Sequence, residues 1–260
     1  MALVSRWAPV SSPGDAGSAK AGRLDSVRPA RLAALVRGQG VVGRGALRDD
    51  GWSASVVGIM PPIISRGFRG RREDAPPGRV PPGQYVTRDF PVLSAGPTPY
   101  TALERWDFTV SGEVDEPRRW TWEEFRALPA EEVTVDIHCV TKWSKLDTVW
   151  QGVRIDTLLE GIETSAEYTV AFSDGGYTTN VPLEDLTRGK AWVAFSYGGE
   201  PLVPQHGGPA RMLVPHLYFW KSAKWVRGLR LTAADEPGFW ETNGYHNYGD
   251  PWREQRYWGD

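Results

Sequence analysis

The chain has 260 residues, enough for one large domain or two small ones, and its 40% apolar content can fill a core. A net charge of −2 gives no overall field for nucleic acid, and no apolar run reaches the roughly 18 residues of a membrane span. The single cysteine, Cys139, excludes an internal disulfide.

The charge is unevenly spread. Residues 1–80 carry 13 Lys and Arg against 6 Asp and Glu, a balance of +7, whereas residues 81–260 carry 17 against 26, a balance of −9. The first segment is rich in Gly, Pro, Ser and Ala and reads as a disordered basic extension. It lacks the interleaved aromatics of single-strand binders, so no nucleic-acid partner is expected. One helix is predicted at 28–37, where Leu32, Leu35 and Val36 share a face. Met1 to Arg6 leads into Pro, Gly and Ser instead of the apolar stretch of a signal peptide, and Arg71-Arg72 precedes no apolar segment. A cytoplasmic location is therefore expected. Met60 is an alternative start that would shorten the protein.

Pro76-Pro77 and Pro81-Pro82-Gly83 mark a boundary, and the folded domain is expected over 81–260. The run 91–99 reads as an irregular crossing loop. A strand is predicted at 106–110. Thr121-Trp122-Glu123-Glu124 has the form of a capping box, with Trp122, Phe125 and Leu128 on one helical face and Pro129 closing the helix. The alternation from Glu132 onward predicts a strand ending at Cys139, with Val133, Val135, Ile137 and Cys139 on one face and His138 on the other. Residues 146–153 read as a loop or short strand, and 155–160 as a short helix. Strands at 168–172 and 177–181 flank Asp174-Gly175-Gly176 as a hairpin. One helical turn at 183–186, strands at 191–197, 212–214 and 224–232, and a tail rich in Trp and Tyr complete the chain. Short strands with few, brief helices argue for α+β with a mixed sheet.

Cys139 decides the function. It is a buried small hydrophobe, a nucleophile, or the single protein ligand of a metal whose other ligands come from a cofactor, because a structural zinc site needs about four Cys or His ligands. A nucleophile needs a base, and no spacing selects one among His206, His216 and His246.

Four blocks bear on this choice. They are Val86 to Val92, His138 to Ser144 followed by Trp150-Gln151-Gly152-Val153, His206 to Pro215, and Trp220 to Val226. In this order and spacing they resemble the sulfite oxidase-like molybdopterin oxidoreductases. The resemblance covers residues 81–260 and implies the same α+β fold, with mixed sheets and short helices. It implies Mo-molybdopterin as cofactor, with Cys139 as metal ligand and catalytic residue. It further implies cofactor contacts from Arg88, Asp174, His206, Arg211, Ser222, Ala223 and Lys224. At Arg88 the match is partial, since Asp89 and Phe90 replace a polar pair, and a direct role for Phe90 is not expected. Thr141, Lys142 and Trp143 stand where sulfite oxidases commonly show Gly-Asn and an arginine that helps hold sulfite. The segment is closer to that of the bacterial methionine sulfoxide reductase subunit. No haem segment with paired histidines is visible, so a separate electron-transfer partner is implied. The reaction would be two-electron oxygen-atom transfer on a small oxyanion or sulfoxide-type substrate. A non-catalytic cofactor-fold binding module and a Cys-dependent hydrolase are the alternatives.

Overall fold

The computed structural model describes residues 77–260 and the backbone of residues 72–73. The helix expected at 28–37, the basic arm before residue 72 and Met60 lie outside the described residues. Along the chain run β1 (Arg72–Glu73), β2 (Tyr85–Thr87), β3 (Asp107–Gly112), β4 (Arg118–Thr121), α1 (Trp122–Ala127), β5 (Ala130–His138) and β6 (Trp143–Arg154). They are followed by α2 (Ile155–Leu159), β7 (Tyr168–Ser173), β8 (Thr178–Pro182), β9 (Trp192–Tyr197), β10 (Glu200–Pro201), β11 (Arg211–Leu213), β12 (Val226–Thr232) and α3 (Phe239–Thr242). Among the described residues no helix is long and apolar enough to cross a membrane.

The strands form two mixed sheets. One runs β1-β2-β6-β9-β10, with β5 added to β6 and β11 to β9, and the other runs β4-β3-β12-β7-β8. In the first, β2 is parallel to β6, while β5 and β9 are antiparallel to it. In the second, β12 is parallel to β3 and antiparallel to β7. Among the described residues, two mixed sheets with three short α-helices are the α+β architecture expected. The folded part reaches further toward the N-terminus than the Pro81 boundary read from the sequence. Arg72–Glu73 pairs with β2, and Arg79 donates to Asp136 and Asp147 at 2.7 Å each.

Local chemistry sets these elements. Thr121 accepts from the Glu124 N–H at 3.3 Å while the Glu124 carboxylate accepts from the Thr121 N–H at 2.8 Å, so the expected capping box opens α1. Phe125 then points inward and is fully buried, a contribution of roughly 2–3 kcal/mol. It packs with Trp106, Phe108, Val193, Leu229 and Leu231 in a core that draws on both sheets.

The longest strand is the element that the sequence disguised. Residues 146–153 belong to β6, twelve residues long and paired with β5 from Ala130↔Val153 to His138↔Ser144. A four-residue connection, Cys139 to Lys142, joins the two strands, with Lys142 in the left-handed region (φ 76°), a position usually filled by glycine or asparagine. Asp147 is also left-handed (φ 53°) and lies where the register slips opposite Asp136. That bulge breaks the alternation on which strand prediction depends.

Candidate active site

Cys139 follows directly on β5, at the mouth of the tight connection. Its N–H donates to the Trp143 carbonyl at 2.9 Å, and its carbonyl accepts from the Lys142 N–H at 2.9 Å and from Gln84 Nε2 at 3.2 Å. Both sides of the loop are thus fixed. Cys139 and Trp143 oppose each other and share one cluster with Ile137, Val140, Trp150 and Phe219. His138 faces the other way, where its Nδ1 meets Ser144 Oγ at 2.8 Å. Adjacency in sequence therefore does not make it a base for the thiol. Burial pushes the Cys139 thiol up, and the Thr141 hydroxyl and N–H, Lys224 and Arg211 pull against that rise.

Arg211 opens β11 and is 1% exposed. Its guanidinium donates to the His206 carbonyl at 2.9 Å, the Ser222 carbonyl at 2.7 Å and the Met212 carbonyl at 3.3 Å, and its Cζ lies 4.0 Å from the Phe219 ring centroid. Lys224 Nζ donates to the Leu93 and Gln205 carbonyls, both at 2.7 Å. Among the described residues no carboxylate pairs with either cation. Burial pulls Arg211 down to about 9, and burial reinforced by Arg211 pulls Lys224 down to about 7. Two desolvated cations without an anion mark a site that favours an incoming negative charge.

The glycines of the His206 block explain its shape. His206 ends a turn of 3-10 helix, and Gly207 (φ 105°) reverses the chain. A Cβ on Gly208 would meet the Leu202 carbonyl oxygen at 2.0 Å, so only glycine allows that approach. His206 is held neutral, down to about 4, by burial first and by Lys224 and Arg211 next. Its buried Nδ1 has no hydrogen-bond partner. Ser222 and Ala223 are buried beside Arg211. Ser222 Oγ accepts from the Val214 N–H at 2.9 Å, and the Ala223 carbonyl accepts from the Met212 N–H at 2.8 Å.

Cys139, His206, Arg211, Ser222 and Lys224 are therefore linked through direct bonds and near electrostatics. Two other candidates have different surroundings. Asp174 lies at the end of β7 in the second sheet. Its carboxylate accepts from Arg227 at 3.0 Å and from the Thr101 hydroxyl, so a structural ion pair accounts for it. Arg88 is exposed on the turn after β2, and its carbonyl accepts from Lys145 Nζ, which ties that turn to β6. Lys221 precedes Ser222 at the end of the turn that follows Tyr218. It is fully buried and paired with Glu241 at 2.6 Å.

The sequence reading missed the ring wall. Phe90 stacks on His206 with centroids 4.0 Å apart, and meets Trp143, Trp150, Tyr197 and Phe219 at 5.0–6.3 Å. The Trp143 Nε1 is buried and unpartnered. The only signal in the sequence was the excess of Trp, with 11 of 13 after residue 100.

Among the described residues no group of three or more His, Cys, Asp and Glu side chains could hold a metal. A metal at Cys139 would need its remaining donors from elsewhere. A dithiolene pterin ending in a phosphate supplies soft donors, an anion for Arg211 and Lys224, and acceptors for orphaned N–H groups such as Trp143 Nε1. The donor set fits that cofactor.

Residues 95–240 match the model of the oxidoreductase molybdopterin binding domain, more than half of the chain. The chain belongs to this family. It is 48% identical over 196 residues to the uncharacterized oxidoreductase YuiH of Bacillus subtilis, covering 74% of this chain and 99% of that protein. It is 29% identical over 174 residues to the putative protein-methionine-sulfoxide reductase subunit YedZ1 of Azospira oryzae, covering 65% and 66%. Over 166 residues it is 27% identical to the protein-methionine-sulfoxide reductase catalytic subunit MsrP of Pseudomonas syringae pv. tomato, covering 56% and 49%. The chain thus spans about two thirds and half of the two sulfoxide reductase relatives. As a member of the family it is an oxidoreductase with Mo-molybdopterin as cofactor.

Proposed function

We propose that this molybdopterin oxidoreductase catalyses two-electron oxygen-atom transfer on a small sulfoxide-type or oxyanion substrate and exchanges electrons with a separate carrier. The observation that carries the reading is the solitary Cys139 thiol within the electrostatic reach of the buried Arg211 and the half-buried Lys224, neither of which pairs with a carboxylate among the described residues. When bound, the cofactor supplies oxygen-atom transfer coupled to two electrons. In this reading Cys139 is the one protein ligand to molybdenum. Arg211 and Lys224 hold the cofactor's anionic end, with Ser222 and Ala223 shaping the backbone around them. The neutral His206 ring and the Trp143 N–H offer hydrogen bonds to the pterin or its substituents. Phe90, Trp143, Trp150 and Phe219 exclude water around the thiol, which strengthens every charge interaction inside.

Sulfoxides come first among substrates because YedZ1 and MsrP carry that activity in their names and because the residues after Cys139 are not the Gly-Asn and arginine of sulfite oxidases. The test has two arms. Molybdenum and pterin are quantified in wild-type and Cys139→Ala protein, and turnover is followed with artificial electron carriers on methionine sulfoxide, an N-oxide and sulfite. About one molybdenum per chain, with turnover that disappears in Cys139→Ala, supports the reading. Molybdenum-loaded protein inactive on the whole panel rejects it and favours a binding module. Metal-free protein whose activity is abolished by thiol alkylation favours the hydrolase.

A further inference from the structure

The residue two places after the cysteine folds back onto its sulfur. Thr141 Oγ1 donates to Cys139 Sγ at 3.2 Å. The backbone arranges this contact. The Lys142 N–H closes on the Cys139 carbonyl at 2.9 Å, and Lys142 turns left-handed (φ 76°) before β6 begins, so the short connection holds Thr141 over the sulfur. Threonine is β-branched and stiff at χ1, which keeps the hydroxyl in place once the backbone is set. The side chain is otherwise exposed, so core packing does not account for it. Burial pushes the thiol up, and Thr141 is the foremost group opposing that rise, through both its hydroxyl and its N–H.

A hydrogen bond to a metal-bound thiolate withdraws electron density from the sulfur and weakens its donation. The electron-rich, reduced metal then gains most, so the reduction potential rises. Groups behind the ligand commonly set a metal's properties in this way.

We propose that Thr141 is a positioning residue that tunes the metal centre through Cys139, its hydroxyl raising the reduction potential of a metal held by that sulfur. This rests on the reading of Cys139 as metal ligand. Thr141→Val removes the hydroxyl and keeps the shape, and Thr141→Ser keeps the hydroxyl.

The experiment is a potentiometric titration of the holoenzyme followed by electron paramagnetic resonance, with molybdenum content measured on the same samples. Thr141→Val should retain molybdenum and titrate at a lower potential. A shift on the order of tenfold in the oxidised-to-reduced ratio corresponds to about 59 mV for a one-electron couple. Thr141→Ser should return toward the wild-type potential. A wild-type potential in fully loaded Thr141→Val overturns the proposal while leaving Cys139 as ligand. A Ser variant that behaves like Val overturns it equally, as does loss of molybdenum from Val alone, which would make Thr141 a structural support of the loop. Wild-type protein without molybdenum overturns both the tuning role and the ligand reading beneath it.

Discussion

Phe90 lies flat on His206, the ring planes 6° apart and the centroids separated by 4.0 Å. The stack covers an imidazole kept neutral, near 4, by burial and by the cations Lys224 and Arg211. Phe90→Ala should uncover that ring. Half-buried rings in such clusters contribute less than core ones, so the expected loss of stability is about 1–2 kcal/mol. His206 should also titrate closer to its ordinary value. Urea unfolding and an NMR titration of the imidazole check both, and an unchanged titration would show that the stack does not keep His206 dry.

Arg211 is suspended over Phe219 and held by three carbonyls, with no counterion among the described residues. Arg211→Lys keeps the charge but not the planar fork, so it cannot hold those carbonyls and an anion together. Losing a charge-assisted contact should cost about 2–3 kcal/mol, or roughly 30- to 150-fold in cofactor affinity. Cofactor content after dialysis of wild-type and variant protein is the measurement. Equal retention would remove Arg211 from the cofactor contacts.

Much of this arrangement was legible in the sequence, and the rest failed for identifiable reasons. The capping box at Thr121, the hairpin at Gly175-Gly176 and the strand leading to Cys139 are local signals, and each element formed where it was expected. β6 was read only in part, as a loop or short strand at 146–153, because Lys142 takes a left-handed position that sequence rules favour for glycine and asparagine and the register slips at Asp147. At the site, Arg211 and Ser222 come from neighbouring blocks, and the guanidinium donates to the Ser222 carbonyl. The ring wall escaped because Phe90, Trp143, Tyr197 and Phe219 come from four separate segments and meet only through tertiary packing. Asp174 had a plausible position in the sequence but found Arg227, a partner no local pattern reveals.

Lys224 sets a pH dependence with a definite sign. Its folded pKa, about 7, lies below the ordinary lysine value of 10.5, burial being the main cause. Between pH 7 and 10.5 the unfolded chain therefore binds more protons than the folded one, and stability rises with pH. The contribution from this group should be about 1 kcal/mol between pH 7 and pH 8. Urea unfolding of cofactor-free protein across that window should show the rise, and Lys224→Met should flatten it. Bound cofactor phosphate would keep Lys224 protonated and flatten it as well. A slope identical in Lys224→Met and wild type would assign it to another group.

The ion pair of Lys221 and Glu241 ties the segment from Trp220 to Val226 to the C-terminal tail. Lys221 Nζ lies 2.6 Å from Glu241 Oε1 and also donates to the Asn180 and Asn247 carbonyls at 2.7 and 2.6 Å. The same carboxylate oxygen accepts from Trp220 Nε1 at 2.9 Å and from the Thr179 hydroxyl at 2.8 Å. Both side chains are at most 1% exposed, so neither charge can turn to water. Lys221 immediately precedes Ser222, and a shift there would move the carbonyl that holds Arg211. Glu241→Gln should leave the ammonium buried without a counterion and cost roughly 3–5 kcal/mol, as for other broken buried pairs. Lys221→Met should cost a similar amount by stranding the carboxylate. The double variant Lys221→Met/Glu241→Gln strands no charge and should be more stable than the two single losses added together. Urea unfolding of the four proteins gives the coupling directly. Strict additivity would mean that the two charges do not stabilise each other, and that the tail is held on by its aromatic contacts instead.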